Sequence, residues 1–266
     1  MSTRQLANIA NERKISSVDG ANVTPQNVKK RLDQEMVKLG LVRSRSQAES
    51  FIKLGKVLVN GKTITRPGYF VRLNDNITLE VSEQYVSRAG MKLASVSDFL
   101  KINFKGKTVL DVGSSTGGFT DYALKHGALK VYAVDVGTNQ LHPSLRSDER
   151  ISLHEKTDIR GFKLPPKEII DIILIDVSFI SVREILPYIE ENLMASKTQI
   201  VVMLKPQFEA GHEITHKGVI KNEAARRKVL RDFENWAKQK FVIIGKRDSD
   251  VKGEKGNTER FYLLKR

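Results

Sequence analysis

Residues 108–119 read Thr-Val-Leu-Asp-Val-Gly-Ser-Ser-Thr-Gly-Gly-Phe. A short β-branched and apolar run carries one acid, Asp111, and empties into a glycine-rich turn; a helix pattern follows. Strand, turn and helix in that order open a βα unit. Glycines at such a turn let backbone N–H groups and a helix N-terminus approach a ligand closely. Working outward, the alternation repeats. A helix over 89–100 precedes the stretch. Further strands are expected at 130–134, 151–154, 169–175 and 199–204, with helices from the glycine-rich turn to 127, from the end of the 169–175 strand through 194, and over about 223–240. Runs buried on both faces and separated by helices mean a parallel, doubly wound α/β sheet. The last two strands, 241–245 and 261–264, have no helix pattern between them and so pair antiparallel. The expected total is seven strands.

Ligands of such sheets bind at the C-terminal strand ends, where the strand order reverses. The turn here is Gly113-x-x-x-Gly117-Gly118 behind Asp111, whereas a dinucleotide fingerprint reads G-x-G-x-x-G. Asp135 ends the next strand in AVDVG and is placed to accept both hydroxyls of a nucleoside ribose. D-x-G-x-x-x-G with a later acid resembles the S-adenosylmethionine site of class I (Rossmann-like) methyltransferases. That resemblance implies a cofactor pocket formed by Asp111, Gly113, Ser115, Gly117, Gly118, Phe119, Asp135, Val136, Asp158, Ile159 and Asp176. Asp158, in KTDIR, would reach the adenine. A ligand-free turn and an NAD site are the competing readings.

Residues 28–84 form a smaller α+β unit. Leu32, Met36 and Leu39 have helical spacing; Ser46 and Glu49 suggest a capping box for a second helix. Val57-Leu58-Val59 runs into Asn60-Gly61, a strong hairpin signal. Pro67-Gly68 marks another turn, and Ile77, Leu79 and Val81 alternate as a strand. The unit holds eleven Lys and Arg against six Asp and Glu, in a chain whose net charge is +14, which points to a polyanionic partner. RLDQEMVKLGLVRSRSQAESFIKLGKVLVNGKTI resembles the small S-four-type RNA-binding domain. The resemblance implies that Arg43, Arg45, Lys53, Lys56, Lys62 and Arg66 contact RNA through phosphates and shape.

Four charged residues stand at strand ends or just before the sheet. Asp176 ends IIDIILID. Lys205 ends a buried strand just before Pro206, and a charge there has to be paired. Lys92 lies in YVSRAGMKL and Glu259 in GNTERFYLL. The signature of exocyclic-amine methylation is missing: Asp176-Val177-Ser178-Phe179 stands in its place. Cytosine C5 methylation needs a cysteine, and the chain has none. The stretch from Tyr85 onward resembles the FtsJ-type ribose 2′-O-methyltransferases, which use a Lys-Asp-Lys-Glu tetrad. With DVGSSTGGFTD, AVDVGTNQLHP, DVSFIS, LKPQFE and KGVI, residues 28–266 resemble the TlyA family in particular, ribosomal RNA 2′-O-methyltransferases also called haemolysins. By that match Lys92, Asp176, Lys205 and Glu259 are the tetrad, Lys205 takes the 2′-hydroxyl proton, S-adenosylmethionine is the cofactor, and cytidine in ribosomal RNA or a ribosomal subunit is the target. No metal is required. Ser114 and Arg260 depart from the pattern, which has alanine at the first position and an aromatic or apolar residue at the second.

Other features bound the reading. The absence of cysteine excludes disulfide scaffolds and thiolate zinc sites. The longest apolar stretch, 169–180, is broken by two acids and falls below the ~18–20 residues of a membrane span. A cytoplasmic location is the expectation. Residues 1–27 read as a flexible leader. His212-Glu213-Ile214-Thr215-His216 has the H-E-x-x-H spacing of zinc proteases, which works only on a helix; flanking glycines and β-branched residues favour a loop. An RNA-binding protein without turnover and a membrane-active haemolysin are the alternative functions. The oligomeric state is left open.

Overall fold

A computed structural model describes residues 29–42, 44–53, 55–80, 85–210, 218–253 and 255–266. The expected leader, Arg43 and the 212–216 motif lie outside the described residues.

The N-terminal unit begins with β1 (Lys30–Arg31), α1 (Leu32–Lys38) and α2 (Arg45–Lys53), followed by β2 (Val57–Val59), β3 (Lys62–Ile64), β4 (Phe70–Val71) and β5 (Ile77–Leu79). β2 pairs antiparallel with both β3 and β5, and the hairpin turns on Asn60 and Gly61, both left-handed. β1 and β4 form a separate two-residue ladder, too short to leave a sequence pattern. Helix α2 is capped two residues earlier than the sequence suggested. Ser44 Oγ accepts from Gln47 N at 3.2 Å, while Ser46 already lies inside the helix and its carbonyl accepts from Ser50 Oγ. Buried Asp33 accepts from Arg31 Nε and Nη2 at 2.9 and 2.8 Å and from Arg45 Nη2 at 3.1 Å. Burial pushes this carboxyl up, but the two guanidinium groups outweigh it and hold it below the ordinary range.

The larger unit follows as α3 (Arg88–Leu100), β6 (Thr108–Val112), α4 (Gly118–Lys125), β7 (Lys130–Val134), α5 (Pro143–Arg146), β8 (Ile151–His154), β9 (Ile172–Ile175), α6 (Leu186–Asn192), β10 (Gln199–Leu204), α7 (Pro206–Glu209), α8 (Glu223–Ala237), β11 (Val242–Asp248) and β12 (Arg260–Lys265). Its seven strands are ordered β11-β12-β10-β9-β6-β7-β8. β12 runs antiparallel to β10 and β11, and the remaining pairs are parallel. The strand expected at 169–175 is shorter, because Asp171 turns aside to accept from Thr108 N and Lys107 Nζ. Among the described residues no helix is long and apolar enough to cross a membrane.

Both sheet faces are apolar. Val109, Val131, Leu174 and Met203 pack under α3 and α4; Leu110, Ile173, Val202 and Leu204 pack toward α6 and α8. A third cluster fills the N-terminal unit with Leu32, Met36, Phe51 and Val57, and it also takes in Met91 of α3 and Val251. α3 and α4 approach closely at two glycines. A Cβ on Gly118 would lie 2.8 Å from Gly90 N, and one on Gly90 would lie 2.8 Å from Gly118 O. Gly118→Ala therefore forces two helices apart and should cost about 1–3 kcal/mol, read as a lowered urea midpoint. Gly161→Ala, where nothing lies within 4 Å, serves as the control and should change stability by less than ~0.5 kcal/mol.

Candidate active site

Strand direction assembles the site. β6, β7, β9 and β10 end on one edge of the sheet, and antiparallel β12 begins there. Leu204 is opposite Arg260, so the adjoining residues Lys205 and Glu259 meet at that edge. β6 lies between β7 and β9, where the winding reverses, and a cleft of about 450 Å³ opens at this point.

One wall of the cleft holds Gly113, Ser115, Asp135, Val136, Asp158 and Ile159, with Asp176 beside them. A Cβ on Gly113 would sit 2.6 Å from the Asp176 carbonyl oxygen, so the backbone passes where no side chain fits. Asp135 Oδ2 accepts from Ser115 N at 2.8 Å and Oδ1 from Gly137 N at 2.7 Å. Those two bonds fix the carboxylate and leave each oxygen a further lone pair. Asp158 caps a 3₁₀ turn through Arg160 N and pairs with the Arg160 guanidinium at 2.6 Å. That pairing holds its carboxyl below the usual range.

The remaining expected cofactor residues do not line the cleft. Asp111 is buried on β6, where Oδ2 accepts from Thr120 N and Oγ1 at 2.9 and 2.6 Å. Burial, opposed by the Thr120 bonds and reinforced by the charges of Asp176 and Asp135, pushes its carboxyl up to about 7. Gly117 abuts Leu141 and Leu145, Gly118 serves the α3–α4 contact, and Phe119 is a core residue 6.1 Å from Phe261. Glycine spacing alone cannot separate glycines that admit a ligand from those that admit a neighbouring helix.

The four charged residues fall into two pairs. Lys205 Nζ meets Asp176 Oδ1 at 2.6 Å, with the side chains 12% and 16% exposed. Lys92 Nζ donates to Glu259 Oε1 at 3.1 Å, with 11% and 3% exposed. Arg260, which departs from the family pattern, binds Asp248 across the β11–β12 ladder at 2.6 and 3.1 Å and belongs to the sheet. Sequence reasoning passed over two neighbours in DVSFIS. Ser178 Oγ accepts from Lys205 Nζ at 2.7 Å. Phe179 lines the cleft, 91% exposed and at φ 68°, with its ring centroid 5.2 Å from that of Phe208. A bulky residue so exposed and in the left-handed region was the available signal, and only coordinates carry it.

On the N-terminal unit Lys53, Lys56, Lys62 and Arg66 are exposed, and Lys53 has only a loose 3.7 Å contact with Glu49. Arg45 differs, because part of its guanidinium is committed to Asp33. Among the described residues no group of three or more acids and histidines could hold a metal ion.

The FtsJ-like methyltransferase pattern matches residues 85–266 and the S4 domain matches 30–77. The 23S rRNA (cytidine-2′-O)-methyltransferase TlyA of Campylobacter jejuni is 41% identical over 241 residues, covering 82% of this chain and 93% of that protein. Hemolysin A of Brachyspira hyodysenteriae is 40% identical, covering 86% and 97%. A solved structure of a hemolysin from Streptococcus thermophilus superposes with a TM-score of 0.66 at 35% identity, covering 90% of this chain and 88% of that one. With a seven-stranded sheet, a cleft at its switch point and an S4 domain in front, the chain belongs to the FtsJ-like methyltransferases, in the TlyA family.

Proposed function

We propose that the protein transfers a methyl group from S-adenosylmethionine to the ribose 2′-oxygen of a cytidine in ribosomal RNA, acting in the cytoplasm. The observation that carries this reading is the row of two tight Lys–carboxylate pairs beside the cleft. The cleft fits the cofactor: Gly113 and Ser115 line it, and Asp135 keeps lone pairs free for ribose hydroxyls. Asp158 and Ile159 would border the adenine. When bound there, the cofactor supplies an electrophilic methyl group on a sulfonium.

This chain's residues supply position and a proton acceptor. Asp176 and Ser178 hold Lys205 Nζ at one point of the edge; the ammonium paired there has no lone pair, so it first releases a proton to water, and the uncharged nitrogen then takes the 2′-hydroxyl proton as the ribose oxygen attacks the methyl group. Lys92, fixed by Glu259, adds a second cation beside the developing alkoxide. The exposed ring of Phe179 offers a face on which the acceptor's base can stack. Lys53, Lys56, Lys62 and Arg66 hold the surrounding RNA by its phosphates.

Lys205→Ala should lower single-turnover methylation of ribosomal RNA by ~10²–10⁴ while cofactor and RNA affinities change little. An unaltered rate in the variant would overturn the mechanism. A wild-type protein that bound both ligands and never transferred a methyl group would be a binding protein instead.

Asp135→Ala should weaken cofactor binding by ~1.5–3 kcal/mol in calorimetry, since a charged acceptor is removed. The third expectation concerns RNA. Replacing Lys56 and Lys62 by alanine should flatten the dependence of log affinity on log salt by ~0.7–0.9 for each phosphate no longer neutralised. A slope equal to wild type would move the RNA interface off this hairpin.

A further inference from the structure

Glu209 is the last residue of α7, four positions beyond Lys205, and its side chain is only 2% exposed. Its carboxylate reaches across to the segment that follows Asp176. Oε2 accepts from Ser181 Oγ at 2.6 Å, Oε1 accepts from Val182 N at 2.8 Å, and Arg183 Nε stands 3.6 Å from Oε2. One buried carboxylate thus joins the two segments leaving β9 and β10, the strands that end at Asp176 and Lys205.

The same two segments meet at two other points. Lys205 grips Asp176 and Ser178, and Phe208 of α7 packs against Phe179. Phe179, at φ 68°, therefore sits in a short arch pinned at Ser178 on one side and at Ser181 and Val182 on the other. A left-handed aromatic persists only where its surroundings over-determine it. Burial pushes the Glu209 carboxyl up, against its two hydrogen-bond donors and Arg183. An apolar side chain of similar size would avoid that desolvation but would leave Ser181 Oγ and Val182 N–H without this acceptor.

We propose that Glu209 is a positioning residue for methyl transfer: it locks the 178–182 arch so that Ser178 keeps Lys205 aimed and Phe179 keeps its ring at the mouth of the cleft. The proposal rests on the methyl-transfer reading above. Glu209 itself lies outside the cleft lining, so it acts through these neighbours.

The test uses the full-length chain and ribosomal RNA with labelled S-adenosylmethionine. Glu209→Gln keeps the size but turns an amide N–H₂ toward one of the two donors. It should lower the single-turnover rate by about 10–100-fold, with cofactor affinity, RNA affinity and melting temperature near wild type. Ser181→Ala removes one of the two bonds and should give a smaller decrease in the same direction. In a background that carries both Ser178→Ala and Phe179→Ala, which removes both routes, adding Glu209→Gln should lower the rate by no more than about threefold further. Multiplying effects would overturn the proposal. So would a rate that falls only in step with cofactor affinity and melting temperature, or an unchanged rate in Glu209→Gln. A wild-type protein that transfers no methyl group removes the reaction and the proposal together; an active wild type matched by the variant removes the proposal alone.

Discussion

Lys205 ends a strand whose last five residues are buried, and a cation in that place is tolerated because Asp176 meets it at 2.6 Å. Leaving either charge alone there would carry the cost of a poorly solvated ion without its partner. Pairing ties the end of β10 to the end of β9 and sets the floor of the catalytic edge. The adjoining parts follow from it: the Ser178 contact, the arch with Phe179, and the position of Glu259 opposite Lys205 through the β10–β12 register. The sheet's apolar layers bring the strands together, and the ion pair decides how their ends are arranged.

The direction of β12 is the second constraint. Were it parallel, its first residue would fall at the opposite edge, some 20 Å from Lys205 at ~3.3 Å per residue. Its reversal places Glu259, and through it Lys92, on the same rim as Asp176. Lys92 comes from α3, which packs on the face covered also by α4, and the close glycine contact between those helices holds it there. The four charged residues therefore come from two strand ends, one strand start and a helix.

Much of this was legible in the sequence where burial imposes a pattern. The limits of β6, β7 and β10 coincide with largely apolar runs, since strands buried on both faces admit few polar residues. The short connection before β12 correctly implied an antiparallel pair. Patterns failed where structure is brief or depends on distant partners. β1 and β4 have two residues each, and α5 and α7 four, too few for periodicity to register. Ser44 rather than Ser46 caps α2, because the helix begins one residue before the expected cap. Within the candidate site Asp176 and Lys205 stood out by type and position, while Lys92 and Glu259 entered only through the family resemblance. Ser178, Phe179 and Glu209 did neither, because their importance lies in what they touch. Gly117, Gly118 and Phe119 fit a ligand-binding spacing, and they also pack closely against neighbouring side chains or helices.

Met91 completes the core of the N-terminal unit, and the next residue, Lys92, pairs with Glu259 at the edge beside the cleft. Val251 does the same from the segment whose Gly253 backbone lies against Glu259. Packing, rather than the reach of a linker, therefore sets the interval between the basic surface and that charged edge. Under the proposed methyl transfer the S4 domain would act as a gauge of fixed length, and a nucleotide would be chosen by how far it lies from the docking point on folded RNA.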